Sequence, residues 1–131
     1  MNAVLVDASA LVALLNRSDA NHDDCVAVMA SIADPLVTVW PAVTEAVYLL
    51  SRSSRAQEAL FDLIIEEAVS LATLEAADLR RIGVLMNKYR DLPMDFADAA
   101  LVRVAERDKL TRIITFDKHF EVYSLPGRAR F

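Results

Sequence analysis

Two isolated carboxylates in apolar segments are the residues of this chain best suited to do chemistry. Asp7 is the only charged residue within residues 1–16, and Glu45 is the only one within residues 35–51. An ionised carboxylate in apolar surroundings costs several kcal/mol unless it is paired or ligates a metal, and neither segment contains a Lys or Arg. Both acids are therefore candidate ligands of a cation, although Glu45 could instead lie on a solvated helix face.

Three further acids stand where a ligand would bind. Asp95 and Asp98 are spaced i, i+3, so they share one face at the start of a predicted helix. Asp117 lies two residues after Thr115, the end of a predicted strand. Structural interpretations stay open, because Asp7 could cap the helix that follows its strand, and Asp95 and Asp98 resemble a capping box with Asp in place of Glu. Asp117 could likewise be an ordinary turn residue.

Clustered carboxylates of this kind favour a hard divalent cation. They raise one another's pKa unless positive charge intervenes, and their oxygens select Mg²⁺ or Mn²⁺ rather than Zn²⁺. The two His and the single Cys form no grouping that argues for zinc. Two such ions about 4 Å apart can activate a water and stabilise the leaving oxygen in phosphodiester hydrolysis. The acids therefore indicate metal-dependent hydrolysis.

Short apolar runs alternate with helical segments along the chain. The predicted strands are residues 3–6, 36–39, 68–71 and 112–115. The predicted helices are residues 9–16, 20–33, 41–50, 55–67, 73–89 (capped by Thr73) and 95–108. This alternation predicts an α/β fold, a three-layer α/β/α domain with a mainly parallel central sheet, which binds ligands beyond the carboxyl ends of its strands. The tail from Glu121 is compatible with one more strand before Pro126.

The composition limits the class of protein. We expect a single domain over residues 1–131, and 55% hydrophobic residues exclude disorder for most of the chain. The 14 basic and 19 acidic residues give a net charge of −5, which offers no basic surface for nucleic acid, although bound cations can reverse the sign of an acidic site. A single cysteine, Cys25, and no export or membrane segment indicate a cytoplasmic protein. The high apolar fraction predicts an exposed patch, typical of a dimer or partner interface.

Four segments resemble, in order and spacing, the motifs of the PIN-domain nucleases, and most closely the VapC-type toxins of bacterial toxin–antitoxin pairs. The first is residues 4–11, an apolar strand followed by an acid and a small polar residue. The second is Thr44-Glu45, and the third is residues 98–101, an Asp-Ala pair that opens an apolar helix. The fourth is residues 115–120, Thr-x-Asp before an aromatic residue. The resemblance covers essentially the whole chain.

The resemblance implies a PIN-like domain that hydrolyses RNA through a water activated by one or two Mg²⁺ or Mn²⁺ ions, leaving a 5′-phosphate and a 3′-hydroxyl. The side chains that it places in the metal pocket are Asp7, Glu45, Asp98 and Asp117, with the Ser9 and Thr115 hydroxyls in support. Asp7 and Asp98 would be the principal ligands, but Asp95 is close enough in sequence to replace or join Asp98. The implied partners are RNA, a cognate antitoxin and a second copy of the chain.

Residues around the pocket would contact the RNA. The basic candidates are Arg17, Lys118, Arg128 and Arg130, although each of them could instead be an ordinary solvated surface charge. No aromatic stacking platform is evident, and we predict that Trp40 packs in the core or in an interface. His119 stands where many relatives carry another acid, and we interpret it as a surface residue.

Two other classes of protein fit part of the pattern. A receiver-like, Mg²⁺-dependent phosphoacceptor domain has a similar size and acidity, but it requires a pair of adjacent acids after the first strand, and Asp7 stands alone. A non-catalytic interaction module would use its acids only to cap helices. Such a module would show no rise in melting temperature with Mn²⁺, whereas a metal site would be stabilised.

Overall fold

A parallel sheet forms the centre of the structure, a computed structural model that describes residues 2–121 and 129–130. Its strands are β1 (Val4–Val6), β2 (Leu36–Thr38), β3 (Val69–Leu71), β4 (Arg112–Ile114) and β5 (Ala129–Arg130). They are arranged in the order β3-β2-β1-β4-β5, and every neighbouring pair is parallel. The carboxyl ends of all five strands therefore meet at one edge of the sheet.

The apolar runs become strands because both faces of the sheet are covered. The helices are α1 (Ala8–Leu15), α2 (His22–Ser31), α3 (Trp40–Leu49), α4 (Ser54–Ile65), α5 (Asp78–Lys88) and α6 (Phe96–Asp108). Val4 and Val6 of the central strand pack in one core with residues of α1 to α4. Leu5, between them, packs on the opposite face with residues of α5 and α6. This alternation along a fully buried strand produces three layers.

The predicted α/β/α fold with a parallel sheet is confirmed, and most element boundaries agree within two residues. The main error is the start of the helix predicted over residues 73–89, which begins at Asp78 with Ala77 as its N-cap, so Thr73 does not cap it. The strand expected before Pro126 lies outside the described residues. A 3₁₀ helix (Lys118–Glu121) follows β4. No helix in the described part of the chain is long and apolar enough to cross a membrane.

The late start of α5 follows from a buried ionic network. The Asp78 carboxylate accepts hydrogen bonds from the Glu75 backbone N–H at 2.9 Å and from Arg103 Nε at 2.8 Å. Arg107 Nη1 contacts the same carboxylate at 3.2 Å and donates to the Thr73 carbonyl at 2.7 Å. These contacts hold residues 73–77 as a loop and join α5 to α6, the helix that carries Asp98.

We predict that Asp78→Asn lowers the free energy of unfolding by about 1–3 kcal/mol near neutral pH, because two guanidinium groups lose their carboxylate. The Glu75 N–H and the two arginines hold the pKa of Asp78 below its ordinary value of 3.8. A lowered pKa contributes stability above the unfolded value, and this stability is lost as the pH falls through the folded value. The difference between wild type and variant should therefore shrink below about pH 4 in urea unfolding measurements.

The control is Asp62→Asn, which removes an exposed carboxylate from α4. It should leave the unfolding free energy within about 0.5 kcal/mol of wild type. If the unfolding free energy of Asp78→Asn stayed equally far below that of wild type at acid pH, the charge of Asp78 would not be the source of the lost stability.

Candidate metal centre

Asp7 directly follows the central strand β1 and caps α1. Its backbone is extended at φ −91°, ψ 178°, and its Oδ1 accepts a hydrogen bond from the Ala10 N–H at 3.0 Å. The same oxygen accepts a hydrogen bond from Ser9 Oγ at 2.7 Å. Oδ2 accepts one from Thr115 Oγ1 at 2.5 Å, and only 3% of the residue is exposed. Neutral donors thus satisfy this buried carboxylate, and no described Lys or Arg forms an ion pair with it.

The two supporting hydroxyls tie the end of β4 to the start of α1. Ser9 Oγ accepts a hydrogen bond from the Phe116 N–H at 2.9 Å, and Thr115 Oγ1 accepts one from the Asp117 N–H at 2.9 Å. Each hydroxyl therefore donates a hydrogen bond to Asp7 and accepts one from a backbone N–H after β4. Asp117 is consequently held at the same sheet edge as Asp7, with its side chain about one third exposed.

Asp95 and Asp98 stand at the start of α6 but differ in burial. Asp95 is the N-cap, with an extended backbone and a carboxylate that accepts a hydrogen bond from the Asp98 N–H at 2.8 Å. Asp95 is exposed, whereas Asp98 in the first turn is 8% exposed. Pro93 comes shortly before the cap and favours a helix that begins only after it. The capping interpretation therefore describes Asp95 well and Asp98 not at all.

Glu45 lies in the second turn of α3, half-buried, on a helix whose start is favoured by Pro41. Burial and then the nearby Asp95 carboxylate raise its pKa, with further contributions from Asp7 and Asp117. The structure thus brings Glu45 to the same edge as Asp7, Asp95 and Asp117.

Burial and like charge act most strongly on Asp98. Burial and the neighbouring Asp95 raise its pKa to about 8, and Asp117, Asp7 and Glu45 add to the effect. Burial also raises the pKa of Asp7, although the Thr115 and Ser9 hydroxyls oppose the increase. All five predicted acids therefore belong to one electrostatic cluster at the carboxyl edge of the sheet.

The donor set fits a hard divalent cation, because it consists of carboxylate and hydroxyl oxygens. A bound cation would also reduce the repulsion among the carboxylates. Within the described residues, no three His, Cys, Asp or Glu side chains stand close enough together to hold an ion as they are placed. Like-charge repulsion favours such separation.

The basic residues predicted to contact RNA are spread over the structure. Lys118 directly follows Asp117, and His119 is an exposed residue with its Nδ1 3.4 Å from Asp117 Oδ1. Arg17 lies at the far end of α1, in a cleft of about 950 Å³ that Arg52 and Arg55 also line. Arg128 lies outside the described residues, and of Arg130 only the backbone in β5 is described. Sequence reasoning did not single out Arg52 or Arg55, which are unremarkable until the fold brings them beside Arg17.

Of the two alternatives predicted for Trp40, packing in the core is wrong, and packing in an interface stays a prediction. Trp40 is the first residue of α3 and is 61% exposed. The first turn of α6 places Phe96 nearby, with 42% of the residue exposed, and both rings line one groove. The residue types gave no signal for this arrangement, because exposure of a large apolar side chain is decided by how the two helices pack.

Comparisons with known proteins agree with this architecture. The PIN domain family model matches residues 4–125. Ribonuclease VapC26 of Mycobacterium tuberculosis (strain ATCC 25618 / H37Rv) is 30% identical over an alignment of 131 residues that covers 98% of this chain and 97% of the relative. The crystal structure of VapC20 from Mycobacterium tuberculosis, described as a Sarcin-Ricin loop cleaving toxin, has a TM-score of 0.86 and 22% identity, covering 93% of this chain and 95% of that one.

Two toxin–antitoxin structures share the fold at lower similarity. VapBC2 from Rickettsia felis, bound to a DNA fragment from their promoter, has a TM-score of 0.67, 13% identity, and covers 98% of this chain and 97% of that one. VapBC-1 from nontypeable Haemophilus influenzae has a TM-score of 0.60 and 16% identity, and the match covers 88% of this chain and 87% of that one. The chain therefore belongs to the PIN-domain family, among its VapC-type ribonucleases. The resemblance seen in the sequence is confirmed.

We predict that Asp98→Asn raises the melting temperature of the metal-free protein but removes its increase with Mn²⁺. Because burial and like charge raise the pKa of Asp98 to about 8, folding near neutral pH must either bury its charge or take up a proton, and Asn avoids both costs. The substitution also removes a candidate metal ligand. A site with a hundredfold excess of ion over its dissociation constant stabilises a protein by about 2.7 kcal/mol. Thermal unfolding with and without Mn²⁺ measures both effects.

Asp95→Asn is the matched control, because Asn caps helices about as well as Asp. We expect it to keep most of the Mn²⁺-dependent stabilisation, since the Asp95 carboxylate is exposed and already caps α6. The opposite ranking of the two variants would assign the metal to Asp95 instead.

Proposed function

We propose that this chain is a toxin-type endoribonuclease that hydrolyses RNA phosphodiester bonds with Mg²⁺ or Mn²⁺. The observation that carries the proposal is the convergence of five acids, with Asp7 and Asp98 buried, at one sheet edge of a VapC-type PIN domain. Parallel α/β sheets bind ligands at this edge. Hard oxygen donors are the usual ligands of these ions.

Asp7 and Asp98 would hold one or two ions, with Glu45 and Asp117 completing the site. Bound there, the ions would supply activation of the attacking water and stabilisation of the leaving oxygen. Two ions would change the net charge from −5 to −1, which is −5 plus 4. A less negative site eases the approach of a polyanion such as RNA.

The chain's own contribution is a carboxylate that cannot rotate. Both Asp7 oxygens accept hydrogen bonds, from Ser9, from the Ala10 N–H and from Thr115. Ser9 and Thr115 are themselves fixed by the backbone N–H groups after β4. This arrangement orients Asp7 before any ligand arrives, so little reorganisation is needed on binding.

Neither alternative class accounts for the structure. Receiver domains have the strand order 2-1-3-4-5, whereas the order here is β3-β2-β1-β4-β5. A module with acids that only cap helices does not explain Asp98 or Glu45, because neither residue is a cap.

Two partners belong to the proposal besides RNA. The VapBC structures with the same fold support a cognate antitoxin that inhibits this chain. Exposed large hydrophobic side chains, such as Tyr48, Ile65 and Val84, support a homodimer. A monomeric mass by light scattering at tens of micromolar would contradict the dimer. A cytoplasmic location is part of the same proposal, and it rests on the single, buried and unpaired Cys25.

We expect purified, antitoxin-free protein to cleave end-labelled total RNA with Mg²⁺ or Mn²⁺ and to stop when EDTA is added. Asp7→Asn should reduce cleavage by at least about 100-fold, because even residues that only support a metal ligand cost 10–100-fold when changed. Asn keeps the cap of α1, so the variant should fold.

The control is Asp62→Asn, whose exposed carboxylate lies on α4, and it should cleave like wild type. The products should carry 5′-phosphates. A contaminating ribonuclease that uses the RNA 2′-hydroxyl would instead leave 2′,3′-cyclic phosphates. Cleavage that survives both EDTA and Asp7→Asn would contradict the proposal.

A further inference from the structure

An exposed tryptophan stands beside the carboxylate cluster without a packing role in the single chain. Trp40 is the only Trp of the chain and is 61% exposed. It opens α3, where Pro41 follows it and Thr44 Oγ1 donates a hydrogen bond to its carbonyl at 3.1 Å. Its backbone is therefore held by the first turn of a helix. A large, rigid aromatic ring in this position is suited to contact a ligand.

The ring lines a groove between the first turns of α3 and α6. The groove has a volume of about 590 Å³, and its lining residues are Trp40, Pro41, Thr44, Glu45, Asp95, Phe96 and Ala97. Two of these residues, Glu45 and Asp95, belong to the carboxylate cluster. Of the charges that act on Glu45, that of Asp95 has the largest influence, so the two carboxylates are neighbours. The groove is thus continuous with the candidate metal centre.

The lining residues select the chemistry of the occupant. They include two aromatic rings and two acids but no Lys or Arg, so a phosphate group would be repelled. An uncharged, planar, largely apolar group has no such penalty. Unpaired bases of RNA are such groups, and proteins bind them by stacking on Trp, Phe or Tyr.

We propose that the groove between α3 and α6 holds an unpaired base of the RNA substrate, stacked on Trp40 and bordered by Phe96. The stack would fix one nucleotide beside the phosphodiester bond that faces the carboxylates. The inference rests on the proposed ribonuclease function, from which it takes the class of substrate. It adds a binding site for one base and a residue that positions the strand.

The fluorescence of Trp40 tests the proposal directly, because no other Trp contributes to the emission. The Asp7→Asn chain, which should bind RNA without cutting it, is titrated with a short unstructured RNA in Mg²⁺. Stacking on a base should quench the emission in a saturable manner. An RNA of the same length without bases, which keeps the charge of the backbone, should leave the emission unchanged.

Cleavage kinetics supply the second measurement. Trp40→Ala should lower kcat/KM by about 5- to 150-fold, the range expected for the loss of one base–aromatic stack, and Trp40→Phe should restore most of the activity. The matched control is Phe61→Ala on α4, which removes a ring that is 44% exposed but does not line the groove. It should cleave like wild type.

The outcomes separate this inference from the function on which it rests. Quenching without cleavage by wild type would retain the base site and overturn the ribonuclease. Cleavage without quenching, and with Trp40→Ala fully active, would overturn the base site alone. If Trp40→Ala instead converts a dimer to a monomer and RNA never quenches the emission, the groove is an interface between two copies and the proposal is wrong.

Discussion

Like-charge repulsion among carboxylates at one sheet edge is the constraint on which the rest of this site depends. Asp7 and Asp98 are buried there, and burial with like charge raises the pKa of Asp98 to about 8. A fold keeps such groups together only if other interactions hold the elements that carry them. The buried central strand β1 and the Asp78 network between α5 and α6 are two of these interactions. The N-termini of α1 and α6, whose partial positive charge faces their caps, are a third.

The structural and chemical interpretations of Asp7 turn out to be compatible. One of its oxygens accepts from the Ala10 N–H and so starts α1, while the other accepts from Thr115, which directly follows the neighbouring strand β4. The cap therefore fixes the direction of the carboxylate that would bind an ion. Asp95 is also a cap, but it is exposed and accepts from its own helix. Burial, which the sequence does not state, distinguishes the two acids.

The sequence was sufficient for those features that depend on local patterns. Four apolar runs predicted strands, and the position of acids after them predicted the edge at which Asp7 and Asp117 meet. The strand order was not predictable, because it depends on how crossover connections pack. The start of α5 was missed because Asp78 pairs with Arg103 and Arg107, 25 and 29 residues away along the chain. The ligand roles of the five acids stay a prediction.

The start of α3 carries both the ring proposed to bind a base and one of the candidate metal ligands. The first two turns of α3 present an exposed ring and a half-buried carboxylate, Glu45, to the same groove. A metal centre built from carboxylates acts on any phosphodiester that reaches it, so it carries little information about which strand is cut. Contacts to bases carry that information. Because both groups project from one short rigid helix, the distance from a stacked base to the reacting bond would be nearly constant. The choice of bond would then follow from which base the strand leaves unpaired.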